Sequence, residues 1–220
     1  MKTVDLVIPA YNEEKDLPRC VATLWDFLNE HLPYQWQIVI ADNGSTDKTL
    51  IVAQALSQQY PNVTYVHLDL KGRGRALRKA WLERKADVVA YMDVDLSTKL
   101  TAFPLLIKAL DEGYGVAIGS RLIGGAKVRR DLERDIISRI YNLLIRMMFQ
   151  PGFHDAQCGF KAVRRDVVQE IVPFIKDQAW FFDTELLLLA HKKGYRIKEV
   201  PVEWVDDAGT TVKVAKTAWE

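Results

Sequence analysis

The sequence predicts an α/β domain built on one open, mixed but mostly parallel sheet, with helices on both faces. Two observations carry this reading. Short apolar runs are nearly continuous rather than alternating, and amphipathic stretches at helical spacing lie between them. A strand covered on both faces has no solvent side and needs no polar alternation. Strand following helix through residues 1–120 makes the connections crossovers, hence a parallel sheet.

The strands are residues 4–9, 37–41, 63–68, 87–92 and 116–119, rich in Val, Ile and Tyr. Residues 13–29 set Leu17, Val21, Leu24 and Leu28 on one helical face behind Asn12 as N-cap. Residues 46–59 repeat this with Leu50, Ala53 and Leu56 behind Ser45 or Thr46. Helices at 75–85 and 100–112 continue the alternation. The rhythm then changes. Residues 132–149 form a long amphipathic helix, with Ile136, Ile137, Ile140, Leu144, Met147 and Met148 opposite Asp135, Arg139, Asn142 and Arg146. Two coverings suit that stripe: the protein core, or an apolar tail whose anionic head meets the arginines at 121, 129, 130, 134 and 139. A strand at 160–163, a helix at 182–193 ended by Gly194, and a strand at 197–205 complete the chain. No linker-like composition divides it, so 1–220 reads as a single domain with halves 1–120 and 121–220.

The formal net charge of +1 argues against a surface made to neutralise nucleic-acid phosphates. No run approaches the roughly 18 apolar residues that cross a bilayer, and Asp5 interrupts any export signal. Cys20 and Cys158, the two cysteines, read as reduced packing residues of a cytoplasmic protein.

Ligands of an open parallel sheet sit beyond the C-terminal strand ends. Those ends carry Pro9-Ala10-Tyr11-Asn12-Glu13, Asp42-Asn43-Gly44-Ser45, Asp93-Val94-Asp95 and Gly119-Ser120-Arg121. Asp42 before Asn43-Gly44 also suits an ordinary turn. Asp93 and Asp95 are different: in extended chain, residues two positions apart point the same way, and two such carboxylates repel unless a cation lies beside them. A hard ion, Mg²⁺ or Mn²⁺, takes one or two carboxylates and completes its shell with substrate phosphates. One of the acids can instead bind a ribose hydroxyl. Lys71-Gly72-Arg73-Gly74-Arg75 precedes a helix, where glycines let a phosphate approach the backbone, and also suits an exposed basic turn.

Together "LVIPAYNEE", "IADNGSTDKT", "KGRGRAL", "YMDVDLST", "IGSRL", "DAQCGFKAVRRD", "FDTELL" and "GYRIKEVPVEWVDD" resemble the inverting glycosyltransferases of family 2, with the GT-A fold. Within that family the series is most similar to the group acting on dolichyl or polyprenyl phosphate with glucose or mannose. The resemblance runs from about residue 3 to 212, in the family's order. It implies a nucleoside-diphosphate sugar donor, a UDP- or GDP-hexose, with Pro9, Tyr11, Glu13 and Asp42 around base and ribose and Arg73 at the diphosphate. It implies a metal, Mg²⁺ or Mn²⁺, on the Asp-X-Asp pair Asp93 and Asp95, with Ser97 as a further contact. Arg121, Arg130 and Arg134 fall at the acceptor phosphate, and Asp155 falls near the reacting carbon. Two departures stand out: Arg75 replaces a small residue, and Thr211 stands where a lysine is expected, with Lys213 nearby. The sequence stops at Glu220 where many relatives continue into membrane-associated helices: either a membrane-anchoring C-terminal region is missing or the enzyme docks peripherally, and the cytoplasmic face of a membrane is the expected location.

The expected reaction is one in-line displacement at the anomeric carbon. An alcohol acceptor needs a carboxylate base, Asp155 or Glu185, within reach. A phosphate monoester, with a second pKa of about 6, needs positioning instead. The alternatives are transfer to a glycan hydroxyl and a nucleotide-sugar-binding module without turnover.

Overall fold

The computed structural model describes residues 2–206. In chain order the strands are β1 (Thr3–Ala10), β2 (Gln35–Asn43), β3 (Val63–Leu68), β4 (Val88–Met92), β5 (Val116–Ser120), β6 (Lys127–Arg129), β7 (Phe160–Arg164), β8 (Ile197–Pro201) and β9 (Glu203–Val205). The α-helices are α1 (Leu17–His31), α2 (Thr49–Gln59), α3 (Arg73–Glu83), α4 (Phe103–Asp111), α5 (Leu132–Phe149), α6 (Arg165–Ile171) and α7 (Phe182–Lys192). Seven strands form one sheet in the order β3-β2-β1-β4-β7-β5-β8, and β6 pairs with β9 in a small second sheet. β1 to β4 are parallel, β8 is parallel to β5, and β7 runs antiparallel between β4 and β5.

The continuous apolar runs are explained by two cores. Leu6 and Ile8 of β1, with Ile38 and Ile40 of β2, meet Leu17, Val21, Leu24 and Leu28 of α1. Their alternates Val7, Val39 and Ala41 face Ala76, Leu77, Ala80 and Trp81 of α3 and Leu186 and Leu187 of α7. Each buried Leu or Ile contributes roughly 1.5–3 kcal/mol, and residues 6–8 and 38–41 at the centre of both cores carry no polar side chain.

Local expectations shift in four places. Asn12 does not cap α1, whose N-cap is Asp16. It adopts a left-handed turn (φ 58°), and its Oδ1 accepts the Thr46 N–H at 2.8 Å, tying the end of β1 to the segment before α2. In α2 it is Asp47, not Ser45 or Thr46, that accepts the Thr49 N–H, at 2.9 Å. The strand read at 197–205 breaks at buried Val202, and its second part leaves the main sheet for β6. The fourth is α5. Its protein-facing residues are Ser138, Asn142 and Ile145, while Ile136, Ile140, Leu144, Met147 and Met148 point outward. The core does not cover that stripe.

Candidate active site

Four strand ends meet along one edge of the sheet, and the reversed direction of β7 adds a fifth segment. Met92 pairs with Phe160. Antiparallel pairing therefore sets Asp93, leaving β4, beside Gly159, entering β7. A Cβ on Gly159 would lie 1.8 Å from Asp93 Oδ2. Only glycine lets the carboxylate rest against that backbone.

Asp93 belongs to a chain of charges running into the interior. Its Oδ1 accepts from Arg73 Nη2 at 2.8 Å, and Arg73 Nη1 donates to Asp183 Oδ2 at 2.7 Å. Asp183 Oδ1 also accepts from the Tyr91 hydroxyl and lies 3.2 Å from Lys161 Nζ. Lys161 is wholly buried and donates to the Cys158 carbonyl at 2.6 Å. Burial works against the Arg73 charge, but Asp93, Tyr91 and Asp183 outweigh it and hold the guanidinium protonated. Burial likewise pushes Asp183 up, and Lys161 and Arg73 bring it below the usual carboxylate range. The Tyr91 hydroxyl is pushed up by burial and then by Asp183.

Arg73, expected at the donor diphosphate, is thus committed to Asp93 and Asp183. The glycines around it also serve another end. A Cβ on Gly72 would stand 2.6 Å from the Gln178 carbonyl, and one on Gly74 2.6 Å from Phe182 Cβ. The N–H groups of Gly74 and Arg75 donate to the carbonyls of Ala179 and Gln178, both at 3.1 Å. The start of α3 is therefore filled by the loop before α7, and the phosphate cradle read from "KGRGR" is not what this segment forms.

On the donor side Asp42 is fully buried, with Oδ2 2.6 Å from His67 Nδ1. Its Oδ1 is buried without a hydrogen-bond partner among the described residues. A buried carboxylate oxygen left unpaired costs about 1–3 kcal/mol or more, so a ligand donor there is worth that much. Pro9 pairs with Ala41 at the end of β1, and Lys71 Nζ sits 3.7 Å from the Tyr11 ring centroid. The Glu13 N–H donates to Thr49 Oγ1 at 2.7 Å, which fixes the turn after β1.

On the other side Arg121 grips Asp155 through Nε at 2.8 Å, Nη2 at 2.9 Å and its backbone N–H at 3.0 Å. Asp155 is wholly buried. Burial raises its carboxyl, yet the Arg121 guanidinium holds it below the usual range. A carboxylate so engaged is a poor proton acceptor, and the base role weighed for Asp155 does not fit its surroundings. Glu185 is also occupied, accepting the N–H groups of Lys176 at 3.1 Å and Asp177 at 3.0 Å. The guanidinium carbons of Arg121 and Arg130 lie 5.6 and 5.2 Å from the Trp204 ring centroid. Arg130 Nε is buried without a hydrogen-bond partner among the described residues, and burial followed by Arg121 weakens its hold on a proton. Arg134 Nη1 donates to Asp206 Oδ1 at 3.0 Å.

Between the two sides a small cleft is lined by Asp93, Asp95, Ser97, Gly159 and Trp204, among others. Asp95 Oδ1 accepts the Ser97 N–H at 2.9 Å, while Ser97 Oγ is buried with no hydrogen-bond partner among the described residues. No group of three or more His, Cys, Asp or Glu side chains that could hold a metal exists among the described residues. Asp95, with Ser97 Oγ and the exposed side of Asp93, fits a hard ion that takes its remaining ligands from substrate phosphates. Thr211 and Lys213 lie outside the described residues. Lys161, Asp183, Gly159 and Trp204 escaped the sequence reading. An ion-pairing lysine inside an otherwise apolar strand was the signal for Lys161.

The sequence profile of glycosyl transferase family 2 matches residues 5–172. Glycosyltransferase AglD of Haloferax volcanii is 32% identical over 216 residues, covering 97% of this chain and 35% of that protein. The dolichyl-phosphate β-glucosyltransferase ALG5A of Trichomonas vaginalis is 32% identical over 222 residues, covering 96% of this chain and 68% of its own. The dolichyl-phosphate β-glucosyltransferase of Saccharomyces cerevisiae is 28% identical over 232 residues, covering 96% and 70%. This chain thus spans about a third of the haloarchaeal relative and about two thirds of the others. Among solved structures, glucosyl-3-phosphoglycerate synthase from Mycobacterium tuberculosis, in complex with Mn²⁺, UDP and phosphoglyceric acid, superposes with a TM-score of 0.72. It is 18% identical, with 99% of this chain and 74% of that one covered, and shares the fold.

Proposed function

The chain belongs to glycosyl transferase family 2, and from that premise we propose that it moves a hexose from a nucleoside-diphosphate sugar to a polyprenyl or dolichyl phosphate, with inversion. Residues 1–120 serve the donor and 121–220 the acceptor. The names of the relatives favour glucose over mannose and a lipid phosphate over a saccharide. A UDP-sugar is favoured over a GDP-sugar by the UDP in the structural neighbour.

One observation carries the choice of acceptor. The two carboxylates weighed as bases for a hydroxyl, Asp155 and Glu185, are both spent on structural bonds. A phosphate monoester is largely ionised near neutrality and needs no base. It needs cations, and Arg121, Arg130 and Arg134 stand on one side of the Asp93–Asp95 edge.

In this reading Asp42 Oδ1 accepts from the nucleoside, which ends its isolation in the interior. Tyr11 and Glu13 border the same nucleoside. Asp93, held by Arg73 and by the absence of a side chain at Gly159, presents its outer oxygen to the donor. Asp95 and Ser97 would hold Mg²⁺ or Mn²⁺, and a bound ion neutralises charge developing on the departing diphosphate. Arg121 cannot swing away while Asp155 grips it, so it offers a fixed positive charge to the incoming phosphate. No helix among the described residues is long and apolar enough to cross a membrane. With a lipid acceptor the reaction takes place at a membrane surface, in this proposal on the cytoplasmic face.

The test is a product assay. The protein is given UDP- and GDP-hexoses with either a short-chain polyprenyl phosphate or free saccharides, and products are read by mass spectrometry. A hexosyl polyprenyl phosphate is expected. Transfer to saccharides alone, or no transfer from any donor, would overturn the proposal.

A further inference from the structure

We infer that the outer face of α5 is a docking surface for an anionic lipid bilayer, on which the helix lies flat. A helix on a globular protein normally turns its apolar stripe inward, and α5 does the reverse. Ser138, Asn142 and Ile145 face the protein, while Ile136, Ile140, Leu143, Leu144, Met147 and Met148 are 52–70% exposed. Their spacing of three and four residues merges them into one continuous strip. At 1.5 Å per residue the strip from Ile136 to Met148 runs roughly 18 Å along the helix, long enough to rest in an interface, and the helix is too polar on its inner side to cross one.

Charge decides what covers the strip. From 127 to 149 the sequence carries Lys127, Arg129, Arg130, Arg134, Arg139 and Arg146 against Asp131, Glu133 and Asp135. At about 100° per residue, Arg139 and Arg146 fall at the border between the exposed strip and the buried face. Long arginine stems can there lie along the acyl boundary while their heads reach lipid phosphates. Arg139 spends its Nε on Asp135 at 2.7 Å, which leaves its two Nη groups for lipid phosphates, while Lys127 pairs with Glu203 and Arg134 with Asp206. Glu133 falls within the exposed arc, in the first turn. A second copy packed antiparallel on α5 through a twofold axis would bring the same basic border against itself, whereas an anionic membrane complements it.

The inner face of α5 is bonded to the site. Asn142 Oδ1 accepts the Ala156 N–H at 2.8 Å, next to Asp155, and the Tyr141 hydroxyl lies 2.7 Å from Thr184 Oγ1, next to Asp183. The site loops are thus about one helix diameter, on the order of 10 Å, from the docked surface. The choice of a lipid partner leans on the lipid-phosphate acceptor proposed above; the exposed strip and its basic border stand without it.

The experiment is co-sedimentation of the protein with phosphatidylcholine vesicles, with and without phosphatidylglycerol. The protein is expected to sediment with the anionic vesicles, less so at high salt. The double variant Leu144→Glu/Met147→Glu should lose more than about tenfold in partition. Arg139→Glu/Arg146→Glu should lose about tenfold on anionic vesicles alone. Both should keep the wild-type Tm and nucleotide affinity, since all four side chains are on the surface. Three results would overturn the inference: wild type left in the supernatant, undiminished sedimentation of Leu144→Glu/Met147→Glu, or a lipid-free dimer that this variant dissociates. Vesicle binding without transfer to any lipid phosphate would leave the docking face standing and defeat the acceptor proposal. Transfer to a short-chain acceptor by a protein that ignores vesicles would do the opposite.

Discussion

Arg73 links Asp93, at the edge of the site, to Asp183 in the interior, through bonds of 2.8 and 2.7 Å from the two ends of one guanidinium. The position of Asp93 is therefore set from beneath, by Asp183, Lys161 and Tyr91, as much as by β4. Buried ionic clusters are costly to break because each removal strands a partner. Asp183→Ala leaves Arg73 and Lys161 facing a void, so we expect a loss of about 3–5 kcal/mol and a Tm lower by about 10 °C. Thermal unfolding measures this, and a Tm unchanged within about 2 °C would show that the cluster carries no such weight.

Gly159 gives a sharper test, because its effect is steric and local. An alanine Cβ would collide with Asp93 Oδ2 at 1.8 Å, so the carboxylate or the strand must move. Gly159→Ala is expected to weaken nucleoside-diphosphate binding by more than about tenfold. Gly124→Ala, where none of the described residues lies within 4 Å of the added methyl, should leave it unchanged. Calorimetric titration of both variants separates a requirement at one position from a general cost of losing glycine.

Cys20 and Cys158 are buried, and burial is the main reason both thiols are pushed up, Cys158 to about 12. A thiol free in the unfolded chain ionises near 8.5. The folded state keeps its proton longer, so this contribution to stability is complete below about pH 8.5. It declines as pH rises from there through about 12. Iodoacetamide at pH 8 should modify neither cysteine until denaturant is added, and urea midpoints should fall between pH 9 and 10. Rapid alkylation of the native protein would contradict the burial of both.

Much of the fold was legible because its strands are buried on both faces. Ile8 and Val7 face different cores, and no polar residue interrupts residues 6–10. The strand-end acids were legible for the same reason, since a charge straight after such a run must be at the edge. What stayed hidden depended on tertiary neighbours. "KGRGR" reads equally as a phosphate loop and as a close crossing of two chain segments, and only the carbonyls of Gln178 and Ala179 decide it. The α5 stripe shows that a helix is two-sided but not which side the protein takes. Asp183 looks like an ordinary acid in the first turn of a helix until Arg73, far away in sequence, closes on it.

Arg134 and Arg130 separate acceptor from donor. Arg134→Ala and Arg130→Ala should each raise KM for the lipid phosphate by about tenfold, with donor affinity within about twofold of wild type. Arg134 also pairs with Asp206 at 3.0 Å, so Asp206→Asn breaks the same bond while keeping the cation. Steady-state kinetics should show Asp206→Asn near wild type. Equal losses in all three variants would assign Arg134 a structural part only.

The central claim is that a divalent ion at Asp95 carries the donor diphosphate. Its most direct test is calorimetric titration of a nucleoside diphosphate into the wild type and Asp95→Asn, each in Mn²⁺ and in EDTA. Wild type should bind more than about tenfold tighter with Mn²⁺, and Asp95→Asn should lose that difference while keeping its Tm. Affinity that ignores Mn²⁺, or a dependence on Mn²⁺ that survives in Asp95→Asn, would contradict the account.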